Sequence, residues 1–410
     1  MFKLKECLLL FYRVLCNYSL YLLSFLIPRD KKKWVFANYI VDAFNDNPKY
    51  LFIYVNQHCP DIKAIYITSD PGIYFHLNKI GLKVYMKNSR VAIWHCITAK
   101  VYFYNAYSAD INYYTSGCAI LVNLWHGVGL KKIEFNIDRG TLAERYQKKS
   151  FFYRVNMPWL YKRPTWFISS TEFQSIPFST AFRIPLKKCL NFGYSRNDIL
   201  LAAEDERLRF IQKYEREDTL QLLEIMKNYN KVYIYMPTWR DSIDFLKDTK
   251  IDFSVLNGIL LVNNALLILK LHVNTPHINE ITKLSNIILL HGNIDVYSIL
   301  SYTHTLITDY SSILYDYILM PGKEVILYPF DYDRYVNTRD FNYPYLENVA
   351  GIIVRNSQDL YKIFDKKIKI ESNNKISTIR NRFWGNYNGD ASKKIVDFLY
   401  AELKIRKYKD

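Results

Sequence analysis

Two short strings in this 410-residue chain carry side chains that could do chemistry: Leu124-Trp125-His126-Gly127 and Thr308-Asp309-Tyr310-Ser311-Ser312. Each falls where an apolar, strand-like run gives way to polar sequence containing Gly or Ser. Open α/β sheets bind ligands beyond the carboxyl ends of their strands, so both strings stand where a site belongs. His126 titrates near neutral pH without help and can act as acid or base. Thr308, Ser311 and Ser312 offer hydroxyls. The helix expected over Ser311–Leu319 adds unpaired N–H groups at its start, which suit a phosphate. A base in one half and a phosphate cradle in the other suggest a two-domain transferase.

Other residues fit around these strings. His272 follows an expected strand, Leu266–Leu271, just as His126 follows Ile120–Trp125. Gly127 and Gly129 let the backbone approach a ligand closely or take positive φ. Lys131 then offers an ammonium to a phosphate. Arg240, at the end of the strand leading into Pro237-Thr238-Trp239-Arg240-Asp241, is placed to clamp a diphosphate or to pair with a neighbouring carboxylate. Asp316, one turn into the helix that Ser312 opens, could reach a ribose hydroxyl. There is no Walker A string and no Gly-x-Gly-x-x-Gly. Asp331-x-Asp333 is a weak metal signal in an aromatic loop, and neither a metal nor a cofactor is expected.

These residues need a scaffold, and the apolar runs supply one. Strands are expected at Trp34–Ala37, Ala64–Thr68, Leu82–Tyr85, Val101–Asn105, Ile120–Trp125, Trp166–Ser169 and Leu190–Gly193. A second series follows at Lys231–Met236, Leu266–Leu271, Asn286–Leu290, Thr305–Thr308, Val325–Tyr328 and Ile352–Val354. Many are continuous Val/Ile/Leu/Tyr runs, the pattern of parallel strands buried on both faces. Intervening segments such as Asn47–Gln57 and Ser89–Ile97 are long enough for crossover helices. The expected fold class is therefore α/β, with two Rossmann-type parallel-sheet domains facing a central cleft. The domains are expected at 34–196, on the acceptor side, and at 197–410, on the donor side and including a closing helix at Ala391–Glu402.

Residues 1–33 form a hydrophobic segment. Cys7 to Ile27 is almost wholly apolar, with Arg13, Asn17 and Ser24 on one narrow stripe of a helix. Pro28 and then Arg29, Lys31, Lys32 and Lys33 end it. The segment reads as membrane-associating: an interfacial anchor, a span, or a helix packed on the protein body, with its basic flank on the cytoplasmic side. The net charge of +16 points to an anionic partner. Half of that charge lies between Lys131 and Lys188, where twelve Lys/Arg face four Asp/Glu. Nucleic acid is not the expected partner, because the aromatics fall inside strand and helix patterns instead of alternating with Lys/Arg on one surface. The six cysteines are scattered without a Cys-x-x-Cys pair, as in a reducing compartment without structural zinc.

Taken together, Leu124-Trp125-His126-Gly127-x-x-Leu130-Lys131, Pro237-Thr238-Trp239-Arg240-Asp241 and Leu306-Ile307-Thr308-Asp309-Tyr310-Ser311-Ser312-x-x-x-Asp316-Tyr317 resemble the CDP-glycerol glycerophosphotransferase family. Asp46-Asn47-Pro48-Lys49-Tyr50-Leu51, Gly193-Tyr194-x-Arg196-Asn197-Asp198 and Asn388-Gly389-Asp390-Ala391-Ser392 add to the resemblance. It implies a GT-B architecture at the cytoplasmic face of the membrane, peripheral or monotopic. It also implies transfer of glycerol phosphate from CDP-glycerol to a lipid-linked or polymeric acceptor, with release of CMP, in teichoic-acid-like or capsular polymer synthesis. CDP-ribitol, another CDP-polyol, or a CMP- or UDP-sugar are the alternative donors. By position, His126 resembles the family's general base and His272 its second histidine, while Arg240, Thr308, Ser311 and Ser312 fall in donor-binding strings. Val128 and Gly129 stand where a Thr-Pro pair is usual, and Ser195 stands where a proline is usual. These departures bear on acceptor identity more than on reaction type.

Overall fold

The computed structural model describes residues 14–39, 43–139, 141–147, 151–238, 240, 245–271, 278–290, 292, 294–338, 340–368 and 375–406. The chain forms two compact units. The first comprises Met1–His126, Ile133–Asp198 and Asp390–Asp410; the second comprises Gly127–Lys132 and Ile199–Gly389.

The first unit is built on seven strands: β1 (Asp30–Phe36), β2 (Lys63–Thr68), β3 (Val84–Met86), β4 (Ala99–Tyr104), β5 (Ile120–Asn123), β6 (Trp166–Ser169) and β7 (Cys189–Asn191). They lie in the order β3-β2-β1-β4-β5-β6-β7, with every pairing parallel. Trp34 sits opposite both Ala64 and Val101, which places β1 inside the sheet between β2 and β4. Trp34, Val35 and Phe36 are all fully buried, so both faces of this strand are covered and the sequence shows no alternation. Val35, Ile65, Ile67, Tyr102 and Leu121 pack one face; Phe36 stacks on Phe103 on the other, at 4.6 Å. The crossover helices start at side-chain caps. Asp70 accepts from Ile73 N at 2.7 Å, and Ser89 from Ala92 N at 3.1 Å.

The second unit repeats this plan with β8 (Lys231–Met236), β9 (Ala265–Leu269), β10 (Ile287–Leu289), β11 (Thr305–Thr308), β12 (Glu324–Leu327) and β13 (Ile352–Ile353). The order is β10-β9-β8-β11-β12-β13, again parallel throughout. Its core includes Tyr233, Leu267, Ile307 and Ile326 from the sheet, with Leu256, Leu260, Leu360 and Phe364 from covering helices. In both sheets the strand order reverses beside the first strand, between β1 and β4 and between β8 and β11. Ligand crevices form at the carboxyl ends of such reversals.

Two expectations about the ends of the chain need correction. The basic flank does not mark the edge of a separate segment, because β1 already starts at Asp30. Arg29 donates to the carbonyls of Ala99 and Thr115, each at 2.6 Å. Lys33 donates to Thr98 Oγ1 at 2.8 Å in a buried contact. Arg29 thus serves two backbone carbonyls and Lys33 a buried hydroxyl, so both cations are tied into the first unit. The closing helix, Ala391–Leu403, belongs to the first unit rather than the second. Asp198 accepts from the N–H groups of Ala391 and Ser392, both at 2.9 Å, capping its start. Tyr400 packs edge-on against Trp34, and Phe398 against Trp166.

The helix at 14–23 lies on the body of the first unit. Tyr18 donates to the Val155 carbonyl at 3.0 Å, Tyr21 stacks on Tyr113 at 4.8 Å, and Ser24 accepts from Gly117 N at 2.9 Å. Leu15, Leu22, Leu23 and Leu26 remain exposed. No helix among the described residues is long and apolar enough to cross a membrane.

Candidate active site

His126 is presented by an unusual turn just past β5. Trp125 adopts φ +52°, left-handed backbone that an L side chain takes only under constraint, and Gly127 follows at φ +130°. The constraint on Trp125 is visible. Its N–H donates to Asn123 Oδ1 at 2.9 Å, and its ring is buried among Phe167, Phe178 and Phe182. The buried amide of Asn47 donates to the carbonyls of Trp125 (2.8 Å) and Leu124 (3.2 Å). The turn is thus held from both sides.

The imidazole stacks on Trp125 at 3.9 Å, and the residue is exposed. Its Nδ1 lies 3.0 Å from the carbonyl oxygen of Asn105. A carbonyl can only accept, so Nδ1 carries the proton and Nε2 presents a free lone pair. Desolvation lowers the histidine's pKa from its usual value; the nearby Asp46 charge works the other way. Lowering keeps the ring neutral at physiological pH, the state a general base requires.

Asn105 is itself fixed at the reversal point of the sheet. Its side chain donates to Asp46 (2.9 Å) and Asn38 (2.6 Å) and accepts from Tyr39 N (2.6 Å). Asp46 pairs with the buried Arg196 at 2.7 Å, and Arg196 N donates to Asn47 Oδ1 at 3.1 Å. The loop after Asn105 is gripped by Asp110, which accepts from the N–H groups of Ala106 (3.0 Å) and Tyr107 (3.1 Å). Burial raises the Asp110 carboxyl to about 7, against those backbone hydrogen bonds and Lys87, which lower it. Asp46, Asn47, Asn105 and Arg196 are therefore positioning residues that the sequence reading left without a role. Asp46, Asn47 and Arg196 lay in strings already singled out, but nothing local indicates that they meet. Asn105 carried no signal beyond closing an expected strand.

In the second unit, Arg240 does not stand free to clamp a diphosphate. Its guanidinium forms a two-point pair with Asp331 (2.8 and 2.9 Å), meets Asp309 at 2.7 Å, and donates to the Thr238 carbonyl at 2.6 Å. It also lies 4.7 Å over the Phe330 ring. Asp309 is fully buried and accepts from the N–H groups of Thr238 (2.8 Å) and Tyr310 (2.6 Å). One arginine thus locks together the loops after β8, β11 and β12. Burial works to raise the Asp331 carboxyl, but Arg240's hydrogen bonds and charge outweigh it and leave the pKa below the usual range. Asp331 is accordingly an ion-pair partner, and the described residues contain no cluster of three or more potential metal ligands.

The remaining sites divide. Thr308 is fully buried and donates to the Met236 carbonyl at 2.7 Å, joining β11 to β8 rather than facing a phosphate. Asp316 is fully buried and accepts from Tyr297 Oη, which removes it from reach of a ribose. Ser311 and Ser312 are half-buried at the reversal point, ahead of the short helix Ile313–Tyr317. Lys131 is stitched by an antiparallel bridge to Phe341, and its ammonium lies 5.4 Å from the centre of the Tyr335 ring. Arg240 lies 5.6 Å from the centre of the same ring, so the fold gathers Lys131, Arg240 and Tyr335. His272 lies outside the described residues.

Comparison with known proteins gives the family and the fold. Residues 19–401 match the family model for CDP-glycerol:poly(glycerophosphate) glycerophosphotransferase. A teichoic acid poly(glycerol phosphate) polymerase of Staphylococcus epidermidis is 25% identical over 91% of this chain, which spans about half (51%) of that relative's length. A teichoic acid glycerol-phosphate transferase of Staphylococcus aureus is 26% identical, over 94% of this chain and 98% of its own. A solved structure of the wall teichoic acid polymerase TagF, soaked with CDPG, has the same fold: TM-score 0.77 at 23% identity, covering 98% of this chain and 97% of the other. The chain belongs to the CDP-glycerol:poly(glycerophosphate) glycerophosphotransferase family.

Proposed function

We propose that this chain transfers glycerol phosphate from CDP-glycerol to a hydroxyl of a lipid-linked or polymeric acceptor at the cytoplasmic face of the membrane, with His126 as general base. The observation that carries the reading is the 3.0 Å contact of His126 Nδ1 with the Asn105 carbonyl, which leaves Nε2 unprotonated on an exposed residue. Nε2 takes the acceptor proton as the acceptor oxygen attacks phosphorus, and the phosphoanhydride bond to CMP breaks. General-base assistance of this kind contributes ~10²–10⁴-fold in rate. The donor falls to the second unit, at the carboxyl ends of β8 and β11. There Lys131, Gly127, Ser311, Ser312 and the N–H groups leading into Ile313–Tyr317 meet the phosphates, and His272 is assigned to the same task. Arg240 acts by holding those loops in shape.

The exposed leucines of helix 14–23 and the overall charge of +16 support attachment to an anionic membrane surface, and nucleic acid is not a partner in this reading. CMP release from CDP-glycerol and from CDP-ribitol, measured with a phosphodiester acceptor, tests the reaction and its polyol together. Release from CDP-glycerol alone is the expected result, and equal release from CDP-ribitol overturns the donor assignment.

The clamp on the histidine turn makes its own prediction. Asn47→Ala leaves the Leu124 and Trp125 carbonyls without their donor and the left-handed turn without one of its braces. We expect kcat to fall by about 10- to 100-fold with KM for CDP-glycerol little changed, because displacing a base by an ångström costs rate rather than donor affinity. Urea unfolding is expected to show a loss of about 1–3 kcal/mol for the unsatisfied buried carbonyls. A variant equally destabilised but with unaltered kcat would make Asn47 purely structural.

A further inference from the structure

Gly127–Lys132, the residues directly after His126, belong to the second compact unit. One side chain outside the assigned site holds them there. Asn342 donates its side-chain amide to the carbonyls of Gly129 and Lys131, both at 2.8 Å. Its backbone N–H donates to the carbonyl between them, that of Leu130, at 2.9 Å. Three successive carbonyls thus share one partner. A residue in a strand ladder supplies a single N–H, so backbone pairing alone could not do this. Carbonyls only accept, which spends both amide hydrogens of Asn342 on the backbone. Lys132 N donates in turn to the Asp340 carbonyl at 2.9 Å, and Lys131 bridges Phe341 in antiparallel fashion. Val128 and Leu130 are buried, which leaves the segment little freedom.

We infer that Asn342 is a positioning residue for donor binding: by fixing the backbone of residues 129–131, it sets where the Lys131 ammonium stands. The inference rests on the proposed role of Lys131 at the donor phosphates. Lysine carries a point charge on a flexible stem, so its placement depends on the backbone that bears it. The ammonium lies 5.4 Å from the centre of the Tyr335 ring. Tyr335 stacks at 3.8 Å on Tyr310, the neighbour of Ser311, and Phe341 lies 6.1 Å from both rings. The strand that grips the lysine's backbone and the rings beside its charge are therefore one packed cluster. Asn342 binds backbone atoms of this segment and not the ammonium, so its effect on the donor runs through Lys131.

The test is isothermal titration of the full chain with CDP-glycerol, in the absence of acceptor. Asn342→Ala and Lys131→Ala are each expected to weaken binding about tenfold, and the double variant no further than either. Asn342→Asp, equal in shape but unable to donate, should match the alanine variant. Asn342→Gln keeps an amide donor and should recover part of the affinity. These two variants carry the comparison if the alanine protein does not fold. A double variant weakened about 100-fold makes the two residues independent and overturns the inference. So does an Asn342 series that binds like the wild type while Lys131→Ala does not. Wild-type affinity in Lys131→Ala places the failure in the proposed donor role of that lysine, and the inference falls with it. The titration needs no turnover, so a chain that binds CDP-glycerol but releases no CMP loses the proposed reaction and keeps this result.

Discussion

His126→Ala is expected to lose ~10²–10⁴-fold in kcat while its affinity for CDP-glycerol stays nearly that of the wild type. The ring touches the first unit's own backbone and the stacked Trp125, and the residues proposed to bind the donor belong to the other compact unit. Truncation therefore removes the proton acceptor and leaves the nucleotide contacts in place. Isothermal titration with CDP-glycerol, beside single-turnover CMP release, separates the two effects. Loss of donor affinity in parallel with rate would reassign His126 to donor binding. His126→Gln is a useful companion, because its amide can still donate to the Asn105 carbonyl without supplying a base.

The same assignment sets the pH dependence. A general base works unprotonated, so activity falls as pH drops through its pKa. Desolvation pulls the His126 pKa below that of a free histidine. The acid limb of kcat/KM should then lie below the ordinary histidine value of about 6.5 and vanish from the profile of His126→Ala. An acid limb above that value, or one that survives the substitution, would identify a different titrating group.

Arg240→Ala is expected to be the most destabilising single change in the second unit, at about 3–5 kcal/mol. It strips the buried Asp309 of its cation, leaves the buried Asp331 with only the longer 3.6 Å ion pair to Arg334, and takes a donor from the Thr238 carbonyl. The charge is only part of the interaction, since the planar fork makes a two-point contact with Asp331 and lies over Phe330. Arg240→Lys is therefore expected to recover little, because a single ammonium cannot reproduce that geometry. Urea unfolding reports the stability, and CDP-glycerol titration at low temperature reports the site. A fully stable Arg240→Ala protein with weakened donor binding would return this arginine to the diphosphate. The converse substitution, Asp331→Asn, keeps the shape of the pair and should cost less.

Much of the scaffold is legible in the chain itself. Trp166–Ser169, Lys231–Met236 and Thr305–Thr308 are strands over the very residues their apolar runs indicate. Parallel strands covered on both faces must be apolar throughout, so the signal is local and strong. His126 at a strand's carboxyl end is legible for the same reason, as is the serine pair at the reversal point of the second sheet. What each polar side chain does there is decided elsewhere. Arg196 and Asp46 lie 150 residues apart, and Arg240 and Asp331 lie 91 apart, before strand order brings each pair within 3 Å. Spacing along the chain cannot reveal such partners, so it leaves Arg240 free for a diphosphate and Asp316 open to a ribose, when both are buried and engaged. The same holds for Trp125. Its left-handed backbone has no signature in its residue type and exists because Asn47, 78 residues earlier, holds its carbonyl. Hydrophobic pattern, a property of neighbours, determined the sheets; the roles of the polar residues were decided by contacts that only the tertiary fold creates.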